Sequence, residues 1–267
     1  MNATGPAHQS PRRPPLRAGS GGVCNGDKTM IKDRIRLAGI PPEAGGILVL
    51  SPHFDDAVLG CGAFLAGRPG SLVMTVCAGL PPPDLPVPDW DRRCGFSDAR
   101  EAMRTRSAEN LRALGQLRAV SLQMDLLDSQ YGGQCAGLGA RLVREIIRLR
   151  PRMLLLPLGL FHQDHVRVSN AALRACRRLG DRLAWIAYED ALYRRRPGLV
   201  QQRLSALYDH GIRATPWLTV PADLPVKRRA VAAYATQLEP LGLTPGCGDD
   251  ALPEHYWRLN YQRGVDD

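Results

Sequence analysis

The strongest constraint on this chain is the way unbroken apolar runs and helical stretches take turns along it. Gly46–Ser51 (GILVLS) and Met153–Pro157 (MLLLP) are short and apolar at successive positions. Neither alternates as a strand with one wet face must, so both fit strands buried on both faces of a sheet. Ala57–Ala66 follows the first run with an apolar helical stretch, and a second helix runs through Arg178. Ser71–Cys77 (SLVMTVC) and Ala119–Met124 read as further strands, Ser97–Leu114 and Ala136–Leu149 as helices. Ala184–Ala187 and Leu218–Val220 are candidate late strands and Val226–Gln237 a further helix, while the proline-rich Leu80–Cys94 reads as a loop without elements. This order predicts an α/β fold: a Rossmann-like, mostly parallel sheet with helices on both faces.

Residues 1–29 are rich in Pro, Gly, Ser and Arg and show no periodicity; such a segment is expected to be a disordered tail. Met30 opens the first plausible helix and is an alternative start, and residues 30–267 read as one catalytic domain without repeats. The 44% hydrophobic and 23% charged fractions are those of an ordinary soluble globular protein. No apolar run approaches the roughly 18 residues of a membrane span, and no apolar segment follows the basic N-terminal residues as a secretory signal requires.

The net charge of +9 would suit a nucleic-acid partner. However, Arg144–Arg152 and Arg174–Arg182 space their arginines helically among Leu, Ile and Ala, which is the pattern of a solvated helix face. No nucleic-acid partner is expected. Seven cysteines form no CxxC pair, and their number is odd. They read as small buried hydrophobes in a reducing cytoplasm, not as a disulfide framework.

In parallel sheets the ligand lies beyond the carboxyl ends of the strands, at a topological switch point. Two segments there carry three of the six histidines: Ser51-Pro52-His53-Phe54-Asp55-Asp56 after ILVL, and Phe161-His162-Gln163-Asp164-His165 after MLLLPLGL. A catalytic zinc takes about three protein ligands and keeps one position open. His53, Asp56 and His165 would supply two imidazoles and a carboxylate. Zinc brings the pKa of water it binds down to about 7 in the best cases, and a neighbouring carboxylate must then take the proton. Asp55 is placed for that, because paired aspartates divide ligand and base between them. His162 would stabilise the oxyanion, with Asp164 orienting its ring. Alone, His-x-Asp-Asp is as well explained by helix N-capping; the two segments together favour the metal. The same donor set would also accept Fe(II), Co or Ni.

These motifs resemble the LmbE-like or PIG-L-type N-acetylglucosaminyl deacetylases, whose motifs usually read His-Pro-Asp-Asp-Glu and His-Pro-Asp-His. Here they stand as HFDDA (53–57) and HQDH (162–165). The likeness is to a bacterial branch with Ala after the aspartates, and it continues through GFSDAREAMRTRSAEN, YEDALY, KRRAVAAYATQL and PEHYWRL. It implies a Rossmann-like fold, zinc at His53, Asp56 and His165, Asp55 as base and His162 as the group that stabilises the transition state. More weakly, it implies substrate contacts at Asp128 (LLDSQY) and Arg106. Phe54 replaces the family Pro and Ala57 the family Glu, so contacts made by that Glu do not carry over.

The expected activity is zinc-dependent removal of an N-acetyl or N-acyl group from an amino sugar or glycoside. A zinc amidase acting on a non-sugar amide is the near alternative, and a non-catalytic Rossmann-like binding protein the distant one. An unligated base beside a metal argues against the latter. Tyr188-Glu189-Asp190 follows a late strand, so its acids could line the same crevice, although capping the next segment is the expected role; His210 is expected to lie in a loop and His255 to pack near the C-terminus. Gly60-Cys61-Gly62 lies inside a helix and lacks the strained turn of a nucleophile elbow.

Overall fold

The computed structural model describes residues 1, 46–133, 136–217, 223–244 and 253–261. The expected tail, the alternative start at Met30 and the candidate strand Leu218–Val220 lie outside them. The described elements all fall within Ile40–Asp267.

Five strands form the parallel part of the sheet: β1 (Ile47–Ser51), β2 (Leu72–Thr75), β3 (Val120–Gln123), β4 (Met153–Pro157) and β5 (Ala184–Tyr188). β6 (Ile212–Pro216) and β7 (Tyr256–Tyr261) complete it, with β7 antiparallel to both β5 and β6. The order is β3-β2-β1-β4-β5-β7-β6. The chain runs outward from β1 to β3 and then returns to lay β4 against the other side of β1. The switch point therefore lies between β1 and β4, the strands that precede the two histidine segments.

The unbroken apolar runs are explained by two cores, one on each face. Leu48, Leu50, Met74, Leu154 and Leu156 face a cluster containing Leu142 and Ile146 of α4 (Leu138–Leu149) and Val168 and Ala172 of α5 (Gln163–Leu179). Val49, Val73, Leu155 and Ile186 point the other way. They meet Val58 and Leu65 of α1 (Asp56–Ala66), Met103 and Leu114 of α3 (Ala99–Gln116), and Ala230 and Val231 of α7 (Leu224–Val231). Each fully buried aliphatic side chain contributes about 1.5–3 kcal/mol, so the central strands are heavily stabilised from both sides.

Two expectations are corrected. Leu80–Cys94 is not free of elements: Asp89–Arg93 forms a short helix, α2, whose Asp91 is buried. Val226–Gln237 is not one helix, because the backbone leaves helical geometry between α7 and α8 (Ala235–Leu238). Tyr234 sits at that break and donates from its hydroxyl to Phe54 O (3.0 Å) and Asn110 Oδ1 (2.9 Å), a tertiary demand that overrides helical periodicity. Strands β6 and β7 and helix α6 (Leu199–Asp209), which ends at His210, were not read from the sequence.

Helix α1 is locked from behind. The N–H groups of Ala63 and Phe64 donate to the two carboxylate oxygens of Glu254 at 2.8 and 2.9 Å. That carboxylate also takes the Tyr256 hydroxyl (2.6 Å) and pairs with Lys227, which is fully buried, at 2.9 Å. Gly60 and Gly62 permit the close packing: a Cβ at Gly62 would lie 2.8 Å from Lys227 Cγ, and one at Gly60 2.7 Å from the Tyr188 ring.

Candidate metal centre

Beyond β1 the chain turns sharply into α1. Ser51 Oγ accepts from Ala57 N (2.9 Å) and donates to His53 O (2.5 Å), and Asp56 Oδ2 accepts from His53 N (2.8 Å). These bonds fix the turn without Asp55. Asp55 occupies the N-cap position, yet its side chain makes no capping hydrogen bond; it lines the adjoining cavity instead.

The structure brings His53, Asp56 and His165 together. Asp56 Oδ2 lies 3.2 Å from His53 Nδ1 and 3.2 Å from His165 Nε2. Zinc bonds of about 2.0–2.1 Å at tetrahedral angles put donor atoms about 3.3 Å apart, and both of these distances match that spacing. The other nitrogen of each imidazole faces a carboxylate: His165 Nδ1 meets Asp190 Oδ1 at 2.5 Å, and His53 Nε2 meets Asp164 Oδ2 at 3.2 Å. Histidine ligands are held in just this way, the far N–H donating to a carboxylate that fixes tautomer and ring orientation.

The electrostatics match a cation site. Burial opposes charge on His165, but Asp56 and Asp190 outweigh it and raise its pKa to about 9. His53 is likewise raised against burial, by Asp128, Asp164 and Asp56. Burial also opposes ionisation of Asp56, yet His165 and His53 keep it well below the usual carboxylate range. Asp55 goes the other way: burial, then the charge of Asp56, pushes it up to about 6. Adjacent carboxylates are thus driven apart, one firmly ionised and the other poised to take a proton.

His162 caps α5, its Nδ1 accepting from Asp164 N at 3.2 Å. The neutral ring then carries its proton on Nε2. Burial and the neighbouring His53 and His165 lower its pKa, which favours that neutral form. Its ring stands 4.9 Å from that of His53 and 5.3 Å from that of His165. The three histidines therefore form a second possible donor set, with ring nitrogens within 4.8 Å of one another. In the set containing Asp56, a single buried carboxylate oxygen lies 3.2 Å from a nitrogen of each of two imidazoles. A further group, His53 with Cys77 and Asp164, is weaker. Asp164 is committed to His53, Ser129 N (2.9 Å) and Arg167 (3.3 Å).

Asp164 is therefore placed differently from expectation. Its carboxylate orients His53, not His162; only its backbone N–H touches the His162 ring. Asp128 Oδ2 lies 3.7 Å from His53 Nε2, and its carboxylate also takes the N–H and side-chain amide of Gln130. Arg106 lines the cavity with its guanidinium tied to buried Asp91 (2.6 Å), which also receives the Tyr131 hydroxyl (2.7 Å). Asp91 lies in the stretch read as a loop. His255 stays apart from this site and pairs with Glu189 at 3.1 Å.

Asp190 reaches the site, the less expected of the two places open to it in the sequence, and the sequence gives no sign of its partner. Its backbone carbonyl caps a turn, as expected of this segment, but its side chain does something else. Oδ2 accepts from Gly159 N (2.9 Å) and Leu160 N (3.0 Å), while Oδ1 holds His165. One carboxylate thus braces both the loop after β4 and a histidine of the site. Asp190→Asn should weaken zinc binding about 10- to 100-fold in a chelator competition; unchanged affinity would deny Asp190 this role.

The cavity measures about 460 Å³, and His53, Asp55, Asp56, His162 and His165 line it beside Trp90, Met103, Tyr193 and Leu241. Among the described residues no helix is long and apolar enough to cross a membrane.

No protein-family model matches the chain, and no curated protein sequence matches it. Solved structures do. The chain is similar to the zinc-inhibited form of teicoplanin deacetylase Orf2, with 21% identity over 82% of this chain and 99% of that one and a TM-score of 0.67. It is similar at 27% identity to the A40926 pseudoaglycone deacetylase Dbv21, over 83% of this chain and all (100%) of the other, with a TM-score of 0.62. A deacetylase in complex with teicoplanin gives 21% identity over 81% and 99% of the two chains, also with a TM-score of 0.62. The chain thus shares its fold with these deacetylases over more than four fifths of its length.

Proposed function

We propose that this protein is a zinc-dependent hydrolase that removes an N-acetyl group from an amino sugar or glycoside. The observation that carries this reading is the junction at β1 and β4: one Asp56 oxygen 3.2 Å from both His53 and His165, beside an Asp55 carboxyl that caps nothing. The 27% identity with a pseudoaglycone deacetylase over its whole length supports the choice of reaction.

His53, Asp56 and His165 would hold the metal. When bound, zinc supplies Lewis-acid polarisation and a water acidic enough to be used near neutral pH. Asp55 would serve as the general base, accepting a proton from the attacking water and passing it to the departing amine. His162, neutral with its proton on Nε2, donates a hydrogen bond where negative charge develops on the carbonyl oxygen. Asp164 and Asp190 keep the two ligand imidazoles turned toward the site. Asp128 and Arg106 line the same cavity and are proposed to contact the sugar. A reducing cytoplasm is proposed as the compartment, with Cys61 and Cys176 buried as small hydrophobes.

The test is acetate release from N-acetylglucosamine glycosides by the zinc-loaded protein. Removal of metal with a chelator should abolish turnover and added zinc should restore it. Turnover of non-sugar N-acyl amides, with none of any sugar, would replace this reading by that of a general zinc amidase.

A further inference from the structure

The rim of the cavity carries two arginines that the deacetylation chemistry does not use. Arg196 and Arg93 both line the cavity and are exposed. Neither has a carboxylate partner among the described residues. Each is instead seated on an aromatic ring of the same cavity: the Arg196 guanidinium lies 3.7 Å from the centroid of Phe161, and that of Arg93 5.1 Å from the centroid of Trp90. Arg93 also donates to Pro240 O at 3.3 Å. Stacking of this kind fixes the guanidinium plane and leaves its edge N–H groups for a ligand.

The backbone under the Phe161 ring is strained, at a tight turn closed by a hydrogen bond from His162 N to Leu160 O at 2.6 Å. Phe161 has φ of +55°, a left-handed conformation that a bulky aromatic residue rarely adopts, and its side chain is 58% exposed. Phe161 directly precedes His162, and its ring lies 5.4 Å from that of Tyr193, which in turn faces His162. The strained residue thus ties the position of Arg196 to the reacting end of the cavity.

We propose that Arg196 and Arg93 form an anion-recognising rim, so that the preferred substrate carries a carboxylate or phosphate on the part that remains outside the metal pocket. The proposal rests on the deacetylase reading for its choice of sugar probe, but its test does not need turnover. Phenyl, 4-carboxyphenyl and 4-phosphatophenyl glycosides of 2-amino-2-deoxyglucose, already free of acetyl, are titrated into the zinc-loaded protein by calorimetry. An anionic aglycone should bind about fivefold more tightly per engaged arginine, as befits exposed charge pairs. The preference should collapse at about 1 M salt, where screening reaches contact distance. Arg196→Gln and Arg93→Gln should each narrow the anionic-to-neutral ratio, and Arg196→Lys should recover only part of it, since lysine keeps charge without the planar stack.

The carboxylate and phosphate arms identify which anion is read. Equal affinity for all three glycosides, or no binding by any, overturns the rim. Rates on the N-acetylated counterparts are scored separately. A charge preference in binding with no acetate released would keep the rim and remove the deacetylase, and equal turnover with equal binding would do the reverse.

Discussion

Replacing Asp55 by alanine should lower kcat by about 10²- to 10⁴-fold while zinc content stays at one per chain. The separation of these two readouts follows from the turn after β1. Ser51 and Asp56 make the hydrogen bonds that shape it, and Asp55 makes no cap, so its removal leaves the turn and the three donors in place. What disappears is a carboxyl pushed up to about 6 by burial and by the charge of Asp56, the group best placed to accept a proton. Asp55→Asn keeps the shape and should lose as much. Turnover within about tenfold of the parent in both variants would place the base elsewhere.

His53→Ala should lose the metal itself, leaving less than about a tenth of the parent's zinc by elemental analysis after dialysis. His53 meets Asp56 through Nδ1 and Asp164 through Nε2. Its loss therefore removes one donor and leaves two largely buried carboxylates with less compensation, an effect that also lowers stability. His162→Ala decides between the two donor sets. Retained zinc with depressed kcat fits Asp56 as the third ligand, and lost zinc fits three histidines. Full zinc in His53→Ala would refute both assignments.

The parts legible in the sequence were those governed by local chemistry. Strands β1 and β4 announce themselves because burial on both faces forces unbroken apolar runs, and the histidine segments sit where those runs stop. Asp190 was legible only as one alternative, because its partnership with His165 depends on the parallel register that sets Pro157 of β4 beside Tyr188 of β5. An acidic residue just past the next parallel strand was the available signal, and helix capping explained it equally well. Asp91 was hidden by the prolines around it; only the fold shows that Arg106 and Tyr131 converge on its carboxylate. The orientation of Asp164 was missed for a similar reason, since proximity to His162 in sequence says nothing about His53, which comes from another strand. Strands β6 and β7, IRATP and YWRLNY, mix polar and apolar residues, as strands far from the sheet centre do.

The position of β7 has a consequence for the order in which the molecule can be assembled. Among the described residues β6 pairs only with β7, and β7 is the element that joins it to β5. During synthesis β6 leaves the ribosome some 40 residues before β7, a long-range pairing of the kind that slows folding. The same late segment delivers Glu254 to the back of α1, the helix that begins at Asp56. The nascent chain thus has every candidate metal ligand in hand well before the buttress that steadies them, and maturation of the site waits on the last strand described.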